Sequence, residues 1–232
     1  MMTSSPDRGI LYLVSTPIGN LKDISFRALE ILSGVNLIAA EDTRHTRILL
    51  EHYNINTPTT SYYDYNKQKK APQILQRLVN GDSVAIVSDA GTPGISDPAF
   101  YLVRAAISEN IQVQAIPGAT AFIPALIISG LATDRFIFEG FLPVKKGRQK
   151  RLQSLEGETR TIVFYESPKR LVRTLEDIYN HLGDRPIAIA REITKKFEQI
   201  WRGQLSDLLN EISKTELRGE FVIVIGKKSK SY

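Results

Sequence analysis

The stretch VAIVSDAGTPGISDP, residues 84–98, decides the fold class. Its first four residues are small or β-branched apolar side chains with nothing polar between them, the pattern of a strand covered on both faces. Gly91, Pro93 and Gly94 then forbid continuation as strand or helix. Asp97-Pro98 reads as an N-cap with proline at the first helical position, and Phe100, Leu102, Val103, Ala106 and Ile107 recur behind it at helical spacing. A glycine-rich loop with two carboxylates therefore sits at the carboxyl end of a parallel-type strand, where open α/β sheets bind ligands. The same residues also serve an ordinary strand-to-helix turn that needs Gly and Pro for its backbone alone.

Working outward, strand and helix alternate. Residues 1–8 are short, polar and terminal, and read as disordered. Strands are expected at residues 10–15, 35–40, 59–63, 84–87 and 111–116, with helices between them. Ser25 reads as the N-cap of the first helix and Gly34 as its stop, while Gly81 closes a later one. Such alternation implies right-handed crossovers and a mostly parallel sheet. After Pro117-Gly118 the pattern changes to a small-residue helix over 119–130, which Pro124 is expected to kink, followed by strands near 135–141, 161–165, 187–192, 198–202 and 221–225. Helices are expected over 168–182, with Ser167 as N-cap and Gly183 as stop, and near 205–212. Strands 187–192 and 198–202 are joined by too short a connector for anything but an antiparallel hairpin, so the second sheet is mixed. The reading is an α/β chain of two domains, 9–118 and 119–228.

At 232 residues, 42% hydrophobic and 24% charged, the chain has the composition of a globular protein with a real core. It has no cysteine, which excludes disulfides, a thiolate nucleophile and Cys-based zinc sites. No apolar run approaches membrane-spanning length, and a cytoplasmic protein without membrane association is the expectation. The net charge is +5, with clusters at Lys67, Lys69 and Lys70, at Lys145, Lys146, Arg148, Lys150 and Arg151, and at Lys227, Lys228 and Lys230. Such clusters suit a polyanion partner, and equally a solvated basic loop. The middle group follows a strand end at Leu142-Pro143, so it is expected on a mobile connector that orders along a phosphate backbone.

No P-loop, dinucleotide fingerprint or nucleophile elbow is present. What remains are polar loops at strand ends: Thr16, Gly19 and Asn20; Glu41, Asp42 and Arg44; Ser88, Asp89 and Thr92. Placed at one edge of one sheet, they gather into a single crevice. Asp42 has a second reading as an N-cap beside the helix dipole.

In order along the chain, LYLVSTPIGNLKDIS, AAEDTRHT, VSDAGTPGISDP, PGATA, FEGFLP, FYESPKR and AREITKKFEQIWRG resemble the ribosomal RNA small-subunit methyltransferase I family. That family lies within the tetrapyrrole-methylase-like, class III S-adenosylmethionine methyltransferases, and the resemblance spans residues 9 to about 226. It implies a two-domain fold, a homodimer, S-adenosylmethionine (AdoMet) in the cleft between domains, and methylation of the ribose 2′-hydroxyl of a decoding-centre cytidine in small-subunit rRNA. It places the cofactor against Ser88, Asp89, Ala90, Gly91 and Ile95, and against Pro117, Gly118, Ala119 and Thr120. Tyr165, Gly219 and Glu220 would close over it.

Methyl transfer to a hydroxyl asks the protein to position the oxygen, exclude water and assist its deprotonation. Glu41, Asp42, Asp89 and Glu166 are the possible bases, unranked, with Arg44, Lys169 and Lys195 as electrostatic helpers. Lys195 also joins Lys145, Lys146, Arg148, Lys150 and Arg151 as an RNA contact. Two other readings stay open: a methylase of a corrin-type ring, and a ribosome-assembly factor that binds rRNA without catalysis.

Overall fold

In a computed structural model of the chain, residues 8–227 are described. The expected disorder of residues 1–7, and Lys228 and Lys230 of the last basic cluster, lie outside them. The chain divides into two compact units between Thr120 and Ala121.

The first unit runs β1 (Ile10–Val14), α1 (Phe26–Gly34), β2 (Leu37–Ala40), α2 (Thr43–His52), β3 (Thr59–Ser61), α3 (Lys67–Val79), β4 (Val84–Val87), α4 (Ala99–Ser108) and β5 (Gln112–Ile116). Its five strands are all parallel, in the order β3-β2-β4-β1-β5. Burial explains the apolar runs: every residue of β2 and β4 is buried, with a helix layer on each face. Ala28, Leu32, Leu49 and Leu50 of α1 and α2 cover one face, around Ile38 and Ala85. Ala71, Ile74, Leu78, Leu102 and Ala106 of α3 and α4 cover the other, around Leu11 and Ile86. The crossover from β1 passes β4 to reach β2, whereas that from β4 passes β1 to reach β5. The connection direction thus reverses between β4 and β1, which is where a doubly wound sheet opens a crevice.

The second unit holds α5 (Phe122–Ile128), β6 (Phe136–Phe141), α6 (Arg148–Ser154), β7 (Thr161–Glu166), α7 (Leu171–Leu182), β8 (Pro186–Arg191), β9 (Gln199–Gln204), α8 (Leu205–Ile212) and β10 (Phe221–Ile225). Its sheet order is β6-β7-β10-β8-β9, parallel between β6 and β7 and antiparallel elsewhere. The hairpin expected from the short connector is β8–β9. Leu152, Leu171, Leu175, Ile178, Leu205, Leu208 and Ile212 bring α6, α7 and α8 onto the buried residues of this sheet.

Three local expectations need correction. The helix foreseen over 119–130 is confined to Phe122–Ile128, and Pro124 lies in its first turn, where no intrahelical acceptor awaits an N–H and no kink is required. The helix foreseen from residue 168 starts at Leu171, with Arg170 as N-cap. Ser167 is consumed in a turn: its N–H donates to Glu166 Oε1 at 2.8 Å and its carbonyl accepts from Arg170 N at 3.1 Å. Asp97 caps from one position earlier than foreseen, accepting from Ala99 N at 2.9 Å and Gly94 N at 2.8 Å.

Candidate active site

At the carboxyl edge of the first sheet, three loops are joined into one floor. Thr16 and Gly91 exchange backbone bonds, Thr16 N to Gly91 O at 2.9 Å and Gly91 N to Thr16 O at 3.1 Å. The Thr16 hydroxyl also donates to Ser88 O at 3.3 Å. Ser15 Oγ and Thr92 Oγ1 are 2.9 Å apart, and Thr92 Oγ1 donates to Ala119 O at 3.1 Å. The loops after β1, β4 and β5 are therefore tied to one another. Gly91 takes φ +84°, a left-handed conformation natural to glycine. A Cβ on Gly118 would lie 2.8 Å from Ser15 Cβ, so only glycine lets the loop after β5 approach the loop after β1. Over this floor the chain is open: Ala90, Pro117 and Gly118 are exposed, and the N–H groups of Gly118, Ala119 and Thr120 have no acceptor among the described residues. Ser88 is buried and Ile95 is exposed in the turn beyond.

The loop after β2 adds the charge. Asp89 Oδ1 accepts from Asp42 N at 2.9 Å, and Asp89 N donates weakly to Glu41 Oε2 at 3.5 Å. Burial, then the neighbouring Asp89 carboxylate, pushes the Glu41 carboxyl up from its ordinary value. Asp42 moves the opposite way: Arg44 donates to it twice, Nε at 3.1 Å and Nη2 at 2.7 Å, and holds it well below the carboxylate range. Its Oδ1 also caps α2 through Arg44 N at 2.8 Å, so the N-cap reading of Asp42 holds. Arg44 itself is 88% exposed.

A second group meets at one edge of the second sheet, where β7 and β8 end and β10 begins. Lys195 Nζ lies between Glu192 Oε1 at 2.9 Å and Glu220 Oε2 at 2.8 Å. Burial opposes the charge on both partners, yet these bonds hold Glu192 below and Lys195 above their ordinary values. Gly219 stands at φ +93°, and a Cβ there would lie 2.5 Å from Glu192 Cδ. Tyr165 belongs to an aromatic group with Phe122, Phe138 and Phe141, its ring 5.0 Å from that of Phe138.

Several foreseen roles do not survive this geometry. Glu166 is enclosed, accepting from Thr174 Oγ1 at 2.6 Å and pairing with Arg170 Nε at 3.2 Å, so it is a structural carboxylate with no face for a reacting hydroxyl. The stretch from Lys145 to Arg151 is no mobile connector: α6 begins at Arg148, which is 3% exposed and binds Asp177 at 2.7 Å, Thr174 Oγ1 at 2.9 Å and Pro143 O at 3.3 Å. Arg151 pairs with Glu139. Lys145, Lys146 and Lys150 are exposed and carry no ion pair among the described residues. Lys195 is held by its two carboxylates. The sequence reading missed Ser15, Glu192, Thr174 and Asp177. A hydroxyl directly after a strand was the available signal for Ser15, and the i,i+3 spacing to Lys195 was the one for Glu192; Thr174 and Asp177 declare themselves only through Arg148, distant in sequence.

The model of the Tetrapyrrole (Corrin/Porphyrin) Methylases matches residues 10–209. A ribosomal RNA small subunit methyltransferase I from Synechocystis sp. is 55% identical over 219 residues, 94% of this chain and 78% of its own length. The chain belongs to that family. The Thermotoga maritima member of the methyltransferase I family is 47% identical, with 95% of this chain and 99% of its own covered. The fold extends further. Uroporphyrin-III C-methyl transferase from Thermus thermophilus, solved in complex with S-adenyl homocysteine, matches at TM-score 0.65 and 19% identity over 94% of this chain and 97% of that one.

Proposed function

We propose that this chain is a cytoplasmic, homodimeric methyltransferase that transfers the methyl group of AdoMet to the ribose 2′-hydroxyl of a decoding-centre cytidine in small-subunit rRNA. One observation carries the reading: the loops after β1, β4 and β5 form a single floor with unspent N–H groups at Gly118, Ala119 and Thr120. AdoMet suits that floor. Its carboxylate and adenine nitrogens need N–H donors, and its ammonium and sulfonium tolerate the acidic Glu41 and Asp89 nearby. Residues 88–91 and 117–120 would hold it. Bound there, it supplies an electrophilic methyl group.

The chain then has to position a hydroxyl and take its proton. Glu41 is the carboxylate best suited, because burial and Asp89 raise its affinity for a proton. Asp42 is locked by Arg44, and Asp89 is engaged with Asp42 N. Arg44, exposed and fixed, suits a phosphate of the incoming RNA. The exposed Phe100 and Ile107, on α4, support an apolar contact between two copies; light scattering giving a monomer mass at micromolar concentration would remove the dimer.

Calorimetric titration with AdoMet tests the cofactor, and ribose-methylation mapping of small-subunit rRNA from a deletion strain tests the substrate. Loss of a single 2′-O-methyl group is the expected outcome; an unchanged map would overturn the reading. In single-turnover assays, Glu41→Gln should cost about a hundredfold in rate while keeping AdoMet affinity. The parent's rate should fall as pH drops through the raised Glu41 pKa, because the base is the ionised form.

A further inference from the structure

Within the second unit, a solvent-open cleft of about 460 Å³ lies between the end of β6 and α6, lined by Glu139, Phe141, Leu142, Pro143, Lys150 and Arg151 among others. Its parts are unusual together. Glu139 has a side chain only 6% exposed, yet Arg151 Nε alone bonds it, through Oε2; Oε1 has no donor among the described residues. The terminal nitrogens of Arg151 are likewise unspent. Glu139 and Arg151 thus present a solvent-reaching acceptor oxygen beside solvent-reaching guanidinium N–H groups, an acceptor and donor pair that a ligand could engage. Phe141 is 52% exposed although it is a strand residue, and the left-handed Gly140 at φ +60° inserts an extra residue between Phe138 and Phe141 relative to β7. Such a bulge re-aims a side chain, and bulges are conserved devices near binding sites rather than defects. Lys150 lines the cleft, Lys145 and Lys146 fall in sequence between its lining residues Pro143 and Gly147, and all three are exposed with no ion pair among the described residues.

We propose that this cleft takes one unpaired nucleobase of the RNA substrate, stacked on Phe141 and hydrogen-bonded by Glu139 and Arg151, with its flanking phosphates on Lys145, Lys146 and Lys150. The proposal rests on the RNA-methylation reading. The Watson–Crick edge of every base offers a donor next to an acceptor, which the Glu139 and Arg151 pair complements, and the aromatic face adds stacking. The base has to be unpaired because A-form duplexes hide their edges from side chains. Leu142 and Pro143 supply apolar walls, and the rim lysines supply the sequence-independent part of the affinity.

The test compares binding of a short single-stranded oligoribonucleotide with that of a same-length chain of abasic residues. The parent should prefer the base-bearing chain by roughly tenfold. Phe141→Leu, which keeps the apolar volume, and Glu139→Ala should each abolish most of that preference while leaving the abasic chain and AdoMet bound as before. Lys150→Ala should weaken both chains alike. Variants that fold, bind AdoMet and retain the full preference would overturn the cleft as a base site while leaving rRNA methylation intact. A parent that binds neither chain and methylates no rRNA would bring down both. A free nucleoside monophosphate bound as tightly as the oligonucleotide would also overturn the proposal, assigning the cleft to a small nucleotide.

Discussion

At the carboxyl edge of the first sheet the loops after β1, β4 and β5 are joined by uncharged groups, Thr16 with Gly91 and Ser15 through Thr92 to Ala119, whereas at one edge of the second sheet the loops are joined by ions, Glu192–Lys195–Glu220. Backbone and hydroxyl bonds hardly respond to salt or pH, but they tolerate no added volume. Ion pairs respond to both, and breaking one that is buried leaves an uncompensated charge. The first edge is therefore vulnerable to shape and the second to charge.

Removing a buried cation should have the largest effect. Arg148→Ala strands Asp177 and empties a filled site, so we expect a loss of about 3–5 kcal/mol, read as a fall in Tm on the order of 10 °C. A variant melting within a degree or two of the parent would break the contrast. Next comes shape: Gly118→Val should lower AdoMet affinity at least tenfold, about 1.4 kcal/mol, by forcing a side chain against Ser15. Unchanged affinity by calorimetry in the folded variant would remove these loops from the cofactor site.

Acid should act with opposite signs on different carboxylates. Arg160 holds Glu158 at about 2, down from 4.5, and Glu192 is depressed too, so both stabilise the fold above the ordinary carboxylate value and lose that contribution as pH falls through their folded values. Glu41 is raised, so its ionisation destabilises the fold, and protonation relieves this as pH falls. Acid titrations of thermal stability should therefore flatten in Glu158→Gln with Glu192→Gln, while Glu41→Gln should gain stability at neutral pH only. The smallest expected effect is on RNA. Replacing Lys145, Lys146 and Lys150 with alanine should flatten the salt dependence of binding by about 0.7 per lost phosphate contact, with no change in melting. A parent-like slope would make the rim lysines solvated charges.

Much of this contrast was legible in the sequence, but unevenly. Four-residue apolar runs such as Val84–Val87, punctuated by Gly and Pro, declare a buried parallel strand because periodicity and turn chemistry are local. The loops of the first unit could be named for the same reason. The second unit was misread where the decisive partner is set by folding and not by spacing. Arg148 resembles its basic neighbours until Asp177 and Thr174 of α7 fold onto it, and Glu166 resembles a free base until Thr174 covers it. Pairings between distant helices leave no trace in spacing, so a run of charge cannot by itself be divided into buried anchors and free cations.

The interior position of β1 also fixes when these loops come together during synthesis. This first strand pairs with none of the chain that immediately follows it; its neighbours are β4 and β5. The hydroxyls of Ser15 and Thr92 meet across 77 residues, and Ala119 closes the chain of bonds. Contacts so far apart in sequence are slow to form, since loop-closure entropy is lost before they are rewarded. On the ribosome β1 must therefore wait with both edges unpaired until β4 has emerged, and with one edge unpaired until β5 has followed. A nascent chain arrested before β5 should remain open to protease at residues 10–16, and the floor of the site should be among the last parts of the first unit to become protected.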